Sequence, residues 1–537
     1  MTPPPQGRRP NITSVHGLVA SAHPLASQVG IRILDRGGNA FDAAVAVAAA
    51  LGVVEPFMSG PAGIGFATMW VAQEARVRVL DFVPPVPRTF PFERFTTREQ
   101  LARGPLSISL PGNLAGWCEL SSRYGTLSLE SLFSPAATLA EEGFALAEYG
   151  AWEINHQLPK IDAFAHLKPL WQKNYPFTDP VRVGQMVRQP ELGTTLRNLG
   201  RHGPTYLYDG PLGEQIARHI ADMGGSITEE DLRSVQAVWR EPAIARYRGL
   251  TIHAPPPPSE AFQFLLTMRL LECFDVSALE RDGPDHIGLV IRAVRLAASV
   301  RILRNNPSTA DLSDIFSDGH VKQLAQRLRE PAPITGPTEQ WTAEAPKGGD
   351  PAHTTSFSVA DRSGNMICVT QSLGTAFGSL VVVPGTGITL NNFLYWADVQ
   401  PDSPNRAAPG ASLPMCFSPS ISTRDGRPVL ALGTPGSYGI MQTQPQAMLQ
   451  YVDFGLSLQQ AVEAPRARVR DGNVVQVEDR IPADTIADLR MRGHDISAFP
   501  DSWTMWVGGM QAIALDPETG LMTGAADPRR DGYAIGL

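Results

Sequence analysis

Thr354-Thr-Ser-Phe-Ser-Val-Ala-Asp361-Arg-Ser-Gly364-Asn365-Met366-Ile-Cys-Val-Thr-Gln-Ser372 alternates polar and apolar residues up to Ala360, breaks at Asp361, and resumes as a second strand-like run at Met366. The five-residue turn Asp361 to Asn365 closes an antiparallel hairpin in which Ala360 faces Met366. Carried along the ladder, this register sets Thr354 opposite Ser372, two hydroxyl residues about 4.5–5.5 Å apart at Cβ. From spacing alone the plain reading stands first: a cross-strand Thr–Ser pair that decorates a sheet.

Upstream of the hairpin, Glu330 to Asp350 holds Pro331, Pro333, Pro337, Pro346, Gly348 and Gly349 with little apolar periodicity, which predicts a mobile surface segment. Residues 100–340 read as mostly helical, with loops at Gly203-Pro204 and at Pro255 to Pro258. At the N-terminal end, Gly17 to Ala20 is a short strand. Pro24 opens a helix carrying Leu25, Val29 and Ile33 on one face, and Gly37-Gly38 stops it. Asn39 caps a second helix from Phe41 to Leu51, so rich in Ala and Val that its neighbours must approach closely. The turn Ser59 to Gly65 lacks a phosphate-loop signature and reads as tight backbone packing ahead of a strand from Phe66 to Val71.

Composition limits the partners. The chain has 537 residues, and charged residues make up 18% of it, which fits one large core better than a string of small domains. The net charge of −8 without a basic tract argues against nucleic acid and anionic membranes. Cys118, Cys273, Cys368 and Cys416 lie far apart, and no histidine pair has ligand spacing, so neither a disulfide scaffold nor a metal site is expected. Met1 to Pro10 is Pro- and Arg-rich with no apolar run after it, so a cytoplasmic enzyme is the default expectation.

The segment Asp350 to Asn365 with Val369-Thr370-Gln-Ser372 resembles the γ-glutamyltranspeptidase family of N-terminal-nucleophile hydrolases. Further matching stretches are His16 to Pro24, Gly37 to Ala44, Pro111 to Gly116, Gly224 to Leu232, Tyr247-Arg248-Gly249 with Pro255 to Ser259, Gly387 to Asn392, and Gly433 to Ser437. The resemblance implies an α+β fold, a four-layer αββα sandwich made as a self-cleaving precursor. The cut would fall between His353 and Thr354, giving a large chain 1–353, whose residues 331–353 form the mobile segment before the cut, and a small chain 354–537. These are two parts of one interwoven domain. Thr354 would be the nucleophile. Its hydroxyl needs a base, and cleavage supplies one as a new α-amino group with a pKa of about 7.7–8.0. Ser372 matches a second hydroxyl that hydrogen-bonds the nucleophile, Gly436 and Ser437 match an oxyanion hole, and Thr355 has a supporting role. The chemistry asks for no metal, nucleotide or flavin, and the resemblance implies a dimer of processed protomers.

The residues that would bind a glutamyl group depart from the family's pattern. Val83 follows Asp81-Phe82 where the family has an arginine, and Met415 and Cys416 replace two serines. Gly374, Phe393 and Trp396 stand where three polar residues hold the α-amino group, beside Asn392. A slip of one or two residues would bring in Asp398 and Ser412. A buried carboxylate without its arginine costs several kcal/mol. The expected activity is therefore hydrolysis of an amide whose acyl part is not glutamyl, with Phe393, Trp396 and Met415 suited to an apolar or aromatic group. Two alternatives stay open: a true γ-glutamyl hydrolase or transpeptidase with a remodelled anchor, and an uncleaved, non-catalytic scaffold protein.

Overall fold

In the computed structural model, which describes residues 9–338, 353–399, 403, 406 and 408–537, the hairpin forms. His353–Asp361 pairs antiparallel with Met366–Gly374, with Ala360 opposite Met366 and Thr355 opposite Gln371. The expected pairing of Thr354 with Ser372 does not form. The register shifts between His353 and Thr355, and His353 faces Gly374. Ser372 and Leu373 thus oppose Thr354 alone, a bulge that re-aims the end of the hairpin. The expected mobile segment lies mostly at 339–352, outside the described residues.

Two seven-stranded sheets stack face to face. The first runs, edge to edge, Tyr533–Gly536, Gly17–Ser21, His353–Asp361, Met366–Gly374, Ile64–Val71, Arg76–Phe82 and Val238–Arg240. The second runs Ile12–Ser14, Met522–Ala526, Gln511–Leu515, Arg427–Gly433, Ser420–Arg424, Leu250–Ala254 and Ala243–Tyr247. Side-chain alternation assigns the layers. Phe357 and Val359 face the helices Pro24–Asp35 and Ala40–Val54, whereas Ala360 and Cys368 meet Ile421, Ala431 and Ile513 between the sheets. Phe262–Leu271 and Pro284–Leu303 cover the outer face of the second sheet. This is the expected αββα sandwich.

The helix Ala40–Val54 shows why the local reading of the sequence held. The Asn39 side chain accepts from the N–H groups of Phe41 and Asp42 at 2.9 Å, and Asp42 accepts in return from Asn39 N–H at 3.0 Å. All of its residues are buried, as a helix of small side chains packed on every side must be. The turn at Ser59 to Gly65 packs tightly: a Cβ at Gly63 would lie 2.3 Å from the Ser372 carbonyl oxygen. The strand after it starts earlier than expected, at Ile64. The mostly helical stretch also contains an unexpected edge hairpin, Ala243–Tyr247 with Leu250–Ala254, turned by Arg248 and Gly249 at φ 47° and 77°.

The C-terminal segment is held by four buried charges. Arg529 bonds Glu478 at 2.6 Å and Asp527 at 3.1 Å, and Arg466 bonds Asp527 at 2.9 Å. Removing one member leaves a buried charge uncompensated, so Arg529→Ala should lower stability by about 3–5 kcal/mol in urea denaturation.

Candidate active site

Thr354 is buried at the bulged end of its strand, where several distant segments meet. Because the bulge displaces Ser372 from a direct pairing, its Oγ donates to the carbonyl oxygen of His353 and not to the Thr354 side chain. The Ser372 Oγ in turn accepts the Gly374 N–H at 2.9 Å. The Thr354 hydroxyl makes no hydrogen bond among the described residues. The residue's carbonyl accepts from the Arg530 guanidinium at 2.7 Å.

Neighbours on either side are fixed by buried acids. Thr355 Oγ1 donates to Glu55 Oε2 at 2.7 Å, while Glu55 Oε1 has no partner. Burial pushes the Glu55 carboxyl up to about 7, opposed by Arg530. His353 Nε2 lies 2.7 Å from Glu153 Oε1, which also accepts from Gln157 Nε2 at 2.7 Å, and Tyr149 OH donates to the other oxygen at 3.2 Å. Burial holds the His353 imidazole below its ordinary range against the pull of Glu153. Burial pushes the Glu153 carboxyl upward, but His353, Gln157 and Arg530 together outweigh it and hold it below its ordinary range.

Gly436 and Ser437 follow directly on the strand Arg427–Gly433 of the facing sheet. A Cβ at Gly433 would lie 2.3 Å from Ser356 Oγ, two residues along the strand from Thr354, so this segment lies against the Thr354 end of the sandwich. Gly436 and Ser437 both have positive φ, 141° and 52°. For the serine this left-handed backbone costs about 1–3 kcal/mol, a strain typical of functional turns. Among the described residues no acceptor takes either N–H, so two backbone donors stand unused.

The residues expected to bind substrate divide. Trp396 lines a narrow cleft, partly open to solvent, together with Arg98, Glu260, Asp398, Pro414 and Tyr438. Tyr438 follows Ser437, and Pro414 precedes Met415, so the cleft adjoins both expected regions. Met415 and Cys416 are themselves buried, and burial pushes the Cys416 thiol up to about 12. Phe393 packs behind the cleft against Trp396 and Phe417, with ring centroids 5.6 and 5.9 Å away. Val83 is half-buried and its N–H donates to Asp81 at 2.9 Å, away from the cleft lining. Asn392 is engaged by two other segments: Oδ1 accepts from Thr375 N–H at 2.8 Å, and Nδ2 donates to Ala102 O at 2.7 Å. Gly374, at φ 106°, has no room for a side chain there, since a Cβ would lie 2.2 Å from Asn392 Oδ1.

Sequence reasoning missed Glu55, Glu153, Arg530, Arg98 and Glu260. Each reaches the site from far along the chain, and no local spacing marks it. Glu260 is buried, bonded by Arg301 at 2.5 Å through Oε1, with Oε2 unpartnered. The cleft wall is thus more charged than Phe393, Trp396 and Met415 alone suggest.

The Gamma-glutamyltranspeptidase family model matches residues 26–537. Over 98% of its length the chain is 34% identical to the Acylase ACY 1 proenzyme of Pseudomonas sp. strain V22, covering 94% of that protein. It is 30% identical to the Glutathione hydrolase proenzyme of Bacillus subtilis strain 168, over 97% of this chain and 91% of that one. The crystal structure of cephalosporin acylase from Bacillus halodurans superposes with a TM-score of 0.90 at 29% identity, covering 100% of this chain and 98% of that one. The chain belongs to the γ-glutamyltranspeptidase family.

Proposed function

We propose that the chain is a precursor that cuts itself between His353 and Thr354 and then hydrolyses an amide through an acyl-enzyme on Thr354. The observation that carries this reading is the Ser372 hydroxyl on the His353 carbonyl, with the Thr354 hydroxyl unengaged on the next residue. A hydrogen bond to that oxygen draws electron density from the carbonyl carbon and favours the charge that builds when Oγ attacks. Attack transfers the acyl group of residue 353 from nitrogen to oxygen. Water then hydrolyses the ester, leaving a carboxylate on His353 and an amine on Thr354. In the processed chain the amine takes the Oγ proton as Oγ attacks the substrate amide, and passes it to the departing nitrogen. The unused N–H groups of Gly436 and Ser437 are suited to the tetrahedral oxyanion.

For the substrate, the acylase names of the Pseudomonas and Bacillus halodurans relatives support an acyl group other than glutamyl, as do Val83, Met415 and Cys416 in place of polar anchors. The glutathione hydrolase relatives support the alternative. A panel of acyl p-nitroanilides on processed protein separates the two. The γ-glutamyl anilide should be hydrolysed about 100-fold or more slowly than the best apolar or aromatic acyl anilide, because Val83, Met415 and Cys416 offer its carboxylate no side-chain anchor. Comparable rates would favour a remodelled glutamyl site, and a chain that never cleaves would favour the scaffold reading.

A further inference from the structure

We propose that Glu55 is the counter-charge of the Thr354 α-amino group in the processed chain, a positioning residue for the catalytic base. The inference rests on Thr354 being the nucleophile and adds a residue to that site.

Glu55 ends the buried helix Ala40–Val54 and is itself buried. One carboxylate oxygen holds Thr355 at 2.7 Å and the other holds nothing. A half-satisfied buried carboxylate is costly, and native structures keep such groups chiefly where something else completes them. Cleavage supplies the missing donor: the peptide nitrogen of Thr354, next in sequence to Thr355, becomes an amine able to carry three N–H donors and a positive charge. The other charged and titratable groups acting on Glu55 are Arg530 and Asp531 from the C-terminal segment, and Glu153 and Tyr149 from the helix Glu148–Asp162. Arg530 is already bonded to the Thr354 carbonyl, and Glu153 to His353. Glu55 is the acid that keeps an unpartnered oxygen while it holds Thr355, the residue next to the new terminus.

The role follows from the proton inventory. As Thr354 Oγ bonds to the substrate carbonyl carbon, its proton moves to the amine and an ammonium forms. The Glu55 carboxylate stabilises that ammonium without changing its own protonation. The proton then leaves with the departing nitrogen, and the amine is neutral again. A carboxylate within about 4–6 Å of an ammonium raises its pKa, so its removal lowers it.

Competitive acetylation of the small chain's N-terminus with acetic anhydride across pH, read by peptide mass, tests this without knowledge of the substrate. In processed Glu55→Gln the amine should titrate about 1 pH unit or more below the wild type, and the acid limb of hydrolysis should move the same way. Thr355→Val keeps the charge but releases its anchor, so it should shift the amine in the same direction by less. Coincident titration curves for wild type and processed Glu55→Gln overturn the proposal. If Glu55→Gln stays uncut, coincident curves for Thr355→Val do so. A wild-type chain that never cleaves overturns the Thr354 reading instead.

Discussion

Thr354→Ala should remain a single chain of 58.0 kDa on a denaturing gel, where the wild type should resolve into two bands. N-terminal sequencing of the smaller wild-type band should begin Thr-Thr-Ser-Phe, and the variant should hydrolyse no acyl anilide. The expectation of complete loss follows from chemistry. The backbone carbonyl of His353 is held by Ser372 and the carbonyl of Thr354 by Arg530, which leaves the hydroxyl at 354 as the proposed nucleophile beside the bond. Alanine removes that oxygen while leaving the strand pairing of Thr355 to Ala360 with Gln371 to Met366 intact, so the fold should survive. Uncatalysed hydrolysis of a peptide bond is slow enough that no second route would produce the cut on a laboratory timescale. Cleavage that persisted in Thr354→Ala would assign the reaction to another group. Thr354→Ser should retain it, because the hydroxyl is kept.

The parts of this arrangement written locally in the chain were legible in advance. Asp361 to Asn365 sets the hairpin loop, Asn39 and Asp42 cap their helix reciprocally, and alternation in Thr355 to Ala360 separates the two faces of the first sheet. The bulge was not legible. Extending the register from Ala360 and Met366 assumes an uninterrupted ladder, and nothing in Gln371-Ser372-Leu373 signals that two residues will oppose one. The edge hairpin of residues 243–254 was also missed, though Ala-Ile-Ala-Arg-Tyr alternates and Arg248-Gly249 turns it. Its short strands were overshadowed by the helices on either side. The acids and the arginine around Thr354 were hidden for a different reason. Glu55, Glu153 and Arg530 come from the first helical layer and from the C-terminal end, and only the stacking of the sandwich brings them to one place. Residue type at Ser372 was readable, whereas its acceptor depended on a shift of one residue in register.

That shift decides what Ser372 does, and with it the second large effect. A Ser372 facing Thr354 across a regular ladder would tune the nucleophile's own oxygen. With the bulge, its hydroxyl rests on the His353 carbonyl, the proposed point of attack, and the Gly374 N–H at 2.9 Å orients it. Ser372→Ala should then slow self-cleavage by about 100–1000-fold, the range seen when one donor to a developing oxyanion is lost. The variant should accumulate as the 58.0 kDa precursor and mature over hours to days, measured as the ratio of the two bands against time. Ser372→Thr should mature at a rate near the wild type, since it keeps the hydroxyl and differs by one methyl group. Ser372→Cys should fall between the two, because a thiol is a weak donor. Rapid maturation of Ser372→Ala would mean that the carbonyl is activated elsewhere, with the unused N–H groups of Gly436 and Ser437 the next donors to test. The contrast between variants also separates the two stages. Once Ser372→Ala has finally matured, hydrolysis of an acyl anilide should be less impaired than cleavage was, because the proposed oxyanion site is the Gly436–Ser437 turn and not the Ser372 hydroxyl.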